Sequence, residues 1–233
     1  MKTIVIGDIH GCSGALRTLL AGIFPDPEKD RLILLGDLFD RGPDSWGVFQ
    51  IVRELADQFG DRFVLLRGNH EDYLLQPKLS FQQKMVWERV GRKATVRSFK
   101  SHGEKMENTI PWISEHASMF YRDQGGDFQC VHAGLLIEPI EANDYYTMIH
   151  DHYVAEKNCY GGPLTIVGHI ALEKPTWFAG DGKTIGKLEE GVLYDLPEKG
   201  VICIDAGCGK GGRLLGMTIE DGKYVLSGVS ETG

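Results

Sequence analysis

Apolar residues along the chain fall into short runs, and each run breaks off in a cluster of polar, chemistry-bearing side chains. The first run, Lys2-Thr3-Ile4-Val5-Ile6-Gly7, leads into Asp8-Ile9-His10-Gly11. The second, Leu32-Ile33-Leu34-Leu35, ends in Gly36-Asp37-Leu38-Phe39-Asp40-Arg41-Gly42, and the third, Phe63-Val64-Leu65-Leu66, ends in Arg67-Gly68-Asn69-His70-Glu71. Runs of this length bounded by glycine predict buried strands. Between them, Leu16, Leu19, Leu20 and Ile23 recur at helical spacing, with Ser13 expected as the N-cap and Pro25 as the stop. Val48, Ile51, Val52 and Leu55 mark a second amphipathic helix over 45–59, closed by Gly60. Strand, cluster and helix in alternation predict parallel strands joined by right-handed crossovers. Three polar clusters then share one edge, outside the carboxyl ends of the strands, where open α/β sheets bind their ligands.

The pattern changes over residues 77–123, which are charged and helix-prone, with Trp87, Val90, Val96, Phe99, Met106, Trp112 and Ile113 at irregular helical spacing. This stretch reads as a helical insert beside the site, its aromatic residues serving as core, with an aromatic-lined substrate platform as the alternative. Short strands return at 128–131, 164–167 and 201–205, and the first two lead into His132-Ala133-Gly134 and Gly168-His169. Two further strands, 213–219 and 223–227, flank the hairpin signal Glu220-Asp221-Gly222-Lys223. This second half reads as a largely antiparallel or mixed sheet. The expected fold class is therefore α/β (α+β): two mixed sheets facing each other in a β-sandwich, flanked by helices on both sides.

Length and composition narrow the picture. A chain of 233 residues with no Pro/Ser/Gly linker is expected to be one domain over 1–233, carrying its insert at about 77–123. The apolar start is too short for a signal-peptide core or a membrane span, so a soluble, cytoplasmic protein is expected. Five cysteines, Cys12, Cys130, Cys159, Cys203 and Cys208, lack the close paired spacing of zinc-thiolate sites or disulfide frameworks and are expected to be free and mostly buried. Acidic residues outnumber basic ones by 33 to 25, a balance that disfavours extended nucleic acid as a partner. Bound cations would neutralise some of those carboxylates.

The residues that follow the predicted strands are Asp8, His10, Asp37, Asp40, Arg41, Arg67, Asn69, His70, His132 and His169. Carboxylate, imidazole and amide donors without thiolate suit Mn²⁺, Fe or Zn²⁺. Ligands from five strand ends exceed what one ion needs, so a two-metal site is expected, with one carboxylate bridging. Arg41 and Arg67 offer fork geometry for phosphate oxygens. His70 can protonate a leaving oxygen, with Asp40 holding its imidazole in the right tautomer. The glycine-rich stretch 207–212 follows no phosphate-loop pattern and reads as a mobile hairpin connection. Asp205 is either a partner to a histidine ligand or the cap of its own turn, and His102 and His116 read as solvated or core residues.

The motifs Gly7-Asp8-Ile9-His10-Gly11, Gly36-Asp37-Leu38-Phe39-Asp40-Arg41-Gly42, Gly68-Asn69-His70-Glu71, His132-Ala133-Gly134 and Gly168-His169 resemble, in order, those of the phosphoprotein phosphatase family of metallophosphoesterases. Bacterial and phage serine/threonine phosphatases and symmetrical diadenosine tetraphosphatases belong to that family. The resemblance implies a calcineurin-like sandwich fold. It also implies Asp8 and His10 on a first metal, Asp37 as the bridge, and Asn69, His132 and His169 on a second, with two divalent ions, most readily Mn²⁺. Arg41 and Arg67 would bind phosphate, and His70 with Asp40 would form the acid dyad. Family protein phosphatases carry a further arginine between the two late histidines, yet this chain has none between Arg122 and Arg213. Ile149-His150-Asp151-His152-Tyr153 stands in that region, with His150 or His152 as substitute donors to the substrate or as surface residues of a loop. The expected activity is hydrolysis of phosphoserine or phosphothreonine by direct attack of a metal-bridging hydroxide, on a phosphorylated protein or small phosphorylated substrate. Hydrolysis of a dinucleoside polyphosphate is the alternative, and a non-catalytic metal-binding module or a nuclease are lesser ones.

Overall fold

Short apolar strands buried on both faces need a covering layer on each side, and the chain supplies one with helices and the other with a second sheet. The computed structural model describes residues 1–231, so the last two positions of the expected 1–233 span lie outside it. In order come β1 (Thr3–Ile6), α1 (Ser13–Ile23), β2 (Arg31–Leu34), α2 (Ser45–Phe59), β3 (Phe63–Leu66), α3 (Asn69–Leu75), α4 (Phe81–Arg89), α5 (Arg92–Ser101), α6 (Ile110–His116), β4 (Ala117–Ser118) and β5 (Phe120–Arg122). There follow β6 (Gln129–Val131), α7 (Tyr145–His150), α8 (Tyr153–Lys157), β7 (Thr165–Val167), β8 (Thr176–Phe178), β9 (Ile185–Lys187), β10 (Leu193–Asp195), β11 (Val201–Cys203), β12 (Arg213–Glu220) and β13 (Lys223–Ser230).

One sheet has the order β10-β13-β12-β1-β2-β3-β4 and the other β5-β6-β7-β11-β8-β9. β1, β2 and β3 pair in parallel, as the crossovers require, and so do β6, β7 and β11. Alternation along the strands sorts the core into layers. Ile4, Ile6, Leu32 and Leu34 face the helices and pack with Leu16, Leu19, Val48 and Val52. Val5, Ile33, Leu35 and Leu66 face the other way and meet Cys130, Ile166, Ile202 and Ile204 between the sheets. A third layer covers the far face of the second sheet, where Val131, Val167 and Cys203 lie with Leu135, Met148 and Ile149.

Several local expectations are corrected. Ser13 does not cap α1: Cys12 occupies that position with no side-chain cap, and the Ser13 hydroxyl donates to Asp44, the residue that caps α2. The region 77–123 is helical only to His116; its last residues extend the first sheet as β4 and start the second as β5. The closing hairpin β12–β13 does not enter the second sheet: β12 pairs antiparallel with β1, and β13 with β10 at the edge of the first sheet. The glycine-rich stretch 207–212 is a hairpin-like connection, closed by an antiparallel bridge between Ala206 and Arg213, that also crosses from one sheet to the other; it is packed rather than open, with Cys208 fully buried. Four cysteines are buried and Cys159 is exposed, all of them free. Among the described residues no helix is long and apolar enough to cross a membrane.

The insert is anchored by aromatic packing. Phe99 of α5 is fully buried, with ring centroids 5.9 Å from Phe39, 5.3 Å from Trp46 and 6.3 Å from Phe49. Phe39 lies in the turn after β2, so the contact joins the insert to the candidate site. Phe99→Ala is expected to lower unfolding free energy by about 4 kcal/mol in urea titrations. A loss below about 1 kcal/mol would show that this packing does little to hold the insert.

Candidate active site

The turns after β1, β2 and β3 are bound to one another before any ligand is considered. Backbone N–H groups of Ile9 and His10 donate to the Asp37 carbonyl at 3.1 and 2.8 Å, and Gly11 N–H donates to Leu38 at 2.8 Å. The Glu71 carboxylate accepts from the N–H groups of Asp37 at 2.7 Å, Leu38 at 2.8 Å and Gly68 at 3.0 Å, clamping the β2 turn to the start of α3. Gly68 is obligatory there, because a Cβ would stand 2.2 Å from the Asp37 carboxylate. Backbone strain collects in the same place: His10, Asp37, Asp40, Arg41 and His169 all have φ between 45° and 70°. They are five of the eight non-glycine residues with positive φ among the described residues, and such strain persists where the surrounding structure over-determines it.

Two groups of possible metal donors share Asp37: His10, Asp37 and His70, and Asp37, His132 and His169. Nε2 of His10 and Nε2 of His132 each lie 3.5 Å from an oxygen of Asp37, one on either side of the carboxylate. The Nδ1 atoms of both rings sit 2.8 Å from backbone carbonyls, of Phe39 and Leu35 respectively. Those bonds fix the tautomer and leave each Nε2 with a lone pair aimed at the cluster, the usual preparation of a histidine ligand. Asn69 Oδ1 completes the second group, 3.2 Å from His132 Nε2 and 3.0 Å from His169 Nδ1. Asp8 lies at the edge of the first group, 3.9 Å from His10 Nε2, and its carboxylate accepts from the His169 backbone N–H.

Charge in this cluster calls for cations. Burial, with Asp205 and Asp37 alongside, pushes the Asp8 carboxyl well above the usual range. Burial also opposes ionisation of Asp37, yet the surrounding imidazoles, His70 foremost, hold it well below that range. Burial and the charge of Asp37 push Glu71 up to about 7. Desolvation, together with His132, pulls His169 down to about 2, leaving a neutral ring able to donate a lone pair. Asp205 caps its own turn by accepting from the Gly207 N–H at 2.8 Å, while its buried Oδ2 has no hydrogen-bond partner. Imidazoles and buried carboxylates converging on one shared aspartate fit a pair of divalent ions.

The two residues expected to form an acid dyad are in contact. His70 Nδ1 lies 2.6 Å from Asp40 Oδ2, and its Nε2 faces the cluster, 3.8 Å from Asp37. Burial disfavours a charged His70, but Asp37 and Asp40 outweigh it and make the ring more basic than usual. Asp40 is held by two residues of the insert, Trp87, which the spacing pattern placed in the core, and Thr95, which it did not single out: Trp87 Nε1–H donates to it at 2.7 Å, and so does the Thr95 hydroxyl. Gly91, between α4 and α5, packs against the Arg41 backbone, where a Cβ would stand 2.2 Å from the amide nitrogen.

The arginines are beside the cluster in different ways. Arg41 reaches in, touching His10 Nε2 and lying 3.3 Å from His70 Nε2. Arg67 is paired with Asp72 at 2.5 Å and lies over the Tyr145 ring at 5.3 Å. His152 Nε2 sits 3.2 Å from His169 Nε2, and His150 stacks on Tyr146, so both border the site. His102 is exposed and stacked on Trp46, and His116 on Trp112, remote from the cluster. The packed crossover brings Gly209 against the side chains of His10 and Arg41.

The sequence reading missed the parts played by three residues, Trp87, Thr95 and Glu71. Trp87 carries no signal beyond helical spacing. Glu71 does carry one, a glutamate two residues into a helix whose side chain returns to the N-terminal backbone. Removing that carboxylate strands three buried donors, so Glu71→Ala is expected to cost about 3 kcal/mol in urea unfolding. An unchanged unfolding midpoint would show that the turns hold without the clamp.

Comparison with known proteins bears on this geometry. The calcineurin-like phosphoesterase family model matches residues 1–197. The symmetrical bis(5'-nucleosyl)-tetraphosphatase of Pseudomonas fluorescens is 26% identical over an alignment covering 96% of this chain and 93% of that protein. Serine/threonine-protein phosphatase 1 of Salmonella typhimurium is 36% identical over 48% of this chain, and the match spans about half of that protein's length, 51%. A solved metallophosphoesterase from Sphaerobacter thermophilus superposes with a TM-score of 0.63 at 18% identity, covering 98% of this chain and 88% of that one. The chain belongs to the calcineurin-like phosphoesterase family, the metal-dependent hydrolases of phosphoester and polyphosphate bonds.

Proposed function

We propose that this enzyme is a phosphomonoesterase acting on phosphorylated serine or threonine side chains. The observation that carries the reading is the His70–Asp40 pair, 2.6 Å apart, with the free nitrogen of His70 turned toward the metal-type cluster. An alkoxide is a poor leaving group and needs a proton as the P–O bond breaks, whereas a nucleotide phosphate leaves as a stable anion without one. A positioned general acid therefore has most to contribute to an alkyl phosphate.

In this reading Asp8, His10 and Asp37 would hold one divalent ion, and Asp37, Asn69, His132 and His169 would hold the other. When bound, such a pair activates water and neutralises charge on the phosphoryl oxygens. Phe39 and Leu35 carbonyls keep His10 and His132 in the tautomer that ligates. Arg41 grips the phosphoryl group from inside the cluster, and Arg67, pre-positioned by Asp72 and Tyr145, from its rim. His70 passes the proton from Nε2 to the leaving oxygen while Asp40 retains the Nδ1–H. Trp87 and Thr95 keep Asp40 in place during that step.

One observation favours a second reading, a dinucleoside polyphosphate substrate. Tyr145 and Tyr146 are 42% and 68% exposed beside Arg67 and His150, flat faces of the kind on which a base stacks, and the chain lacks the late arginine. The Pseudomonas relative, matched over nearly its whole length, carries that activity in its name.

Manganese-loaded enzyme is expected to hydrolyse phosphoserine and phosphothreonine peptides with a kcat/KM above that for diadenosine tetraphosphate. Faster turnover of the dinucleotide by an order of magnitude would replace this reading with the second. His70→Asn is expected to lower kcat on alkyl phosphates by about 10²- to 10⁴-fold, with a much smaller loss on an activated aryl phosphate. Equal losses on both esters would rule out leaving-group protonation by His70.

A further inference from the structure

The helical insert has an outer surface unlike the rest of the chain. From Lys78 to Lys105 the sequence carries eight lysines and arginines against two glutamates, in a protein whose net charge is −8. Lys84, Arg89, Lys93, Arg97 and Lys100 are exposed, and among the described residues none of them forms an ion pair. On the same surface α4 exposes Phe81 (78%), Met85 (57%) and Val86 (45%), three large apolar side chains within six positions. Four grooves run along α4 and α5. The largest, 450 Å³, is lined by Met85, Val86, Glu88, Arg89 and Lys93, and the neighbouring one, 310 Å³, reaches Trp87, the residue that holds Asp40.

We infer that the outer face of α4 and α5 is a docking groove for an acidic peptide segment with apolar anchors, belonging to the phosphorylated protein substrate. Lysines and arginines spaced between apolar side chains match a peptide in which carboxylates alternate with leucine- or phenylalanine-like residues. A continuous polyphosphate chain or an anionic bilayer fits less well. The acidic remainder of the surface repels an unbroken run of negative charge that extends beyond the insert. Glu88, which lines three of the four grooves, is paired through Oε1 with Arg92 at 2.7 Å, while its Oε2 has no hydrogen-bond partner and can accept a peptide backbone N–H. Docking on α4 and α5 raises the local concentration of a phosphorylated side chain tethered to the same segment. The identity of the docked protein as substrate rests on the phosphatase reading above; the groove itself does not.

The test uses the full chain and a fluorescein-labelled, unphosphorylated peptide of about twelve residues, glutamate and aspartate with two leucines, followed by anisotropy. The peptide should bind, and its Kd should rise with added salt, as a charge-driven contact requires. The triple variant Arg89→Glu, Lys93→Glu, Arg97→Glu should weaken binding at least about tenfold while leaving aryl phosphate turnover unchanged. Met85→Ala, which leaves every charge in place, should weaken it about threefold to tenfold. Unaltered affinity in the triple variant overturns the inference. So does binding of phosphatidylserine vesicles or of a single-stranded DNA oligonucleotide as tight as that of the peptide. Peptide binding at the insert without hydrolysis of any phosphopeptide would overturn the phosphatase reading and leave the groove standing.

Discussion

The structure depends on one buried carboxylate that binds backbone rather than pointing at the metal-type cluster's donors. Glu71, fully buried at the start of α3, receives backbone N–H groups from Asp37, Leu38 and Gly68 and so binds the turn after β2 to the turn after β3. The β1 turn joins the same unit through its own hydrogen bonds to Asp37 and Leu38. Left to themselves, non-glycine residues such as Asp37, Asp40 and Arg41 avoid positive φ. The clamp, the buried strands beneath and Gly68 beside it make that strained backbone the only one available. Asp37 is thereby placed between His10 and His132, where one carboxylate can serve two ions.

The acid dyad shows how a helical insert contributes to chemistry on a sheet edge. Asp40 comes from the strand-end turn, but two of its hydrogen-bond donors, Trp87 and Thr95, come from α4 and α5. Phe99 packs the same helices against Phe39. The insert thus combines an inner face that positions Asp40 with an outer face that is basic and partly apolar. This pairing of roles explains why a stretch so charged is nevertheless held tightly against the site.

Most of the site was legible before the fold was known, because each ligand-type residue follows an apolar run and β-strands deliver such residues to a common edge. Asp8, Asp37, Asn69, His132 and His169 needed only that pattern. What escaped depends on distances that spacing does not encode. Trp87 reads as core from its helical spacing, and its ring is indeed buried, but spacing does not encode the partner of its indole N–H, 47 positions away. Ser13 reads as a cap, but Asp44 lies close enough to take its hydroxyl. The late hairpin reads as part of the second sheet, yet β1 needed an antiparallel neighbour on its open side, and β12 filled it. The stretch 207–212 reads as mobile from its glycines, which instead let the backbone pass close to His10 and Arg41.

Asp37 shared between two cations is the claim on which the rest turns. Anomalous diffraction from crystals of the manganese-loaded enzyme tests it directly. The account predicts two peaks about 3.5–4 Å apart with the Asp37 carboxylate coordinating both, one beside Asp8 and His10 and the other beside Asn69, His132 and His169. A single peak, or two ions with Asp37 bound to only one of them, would contradict it.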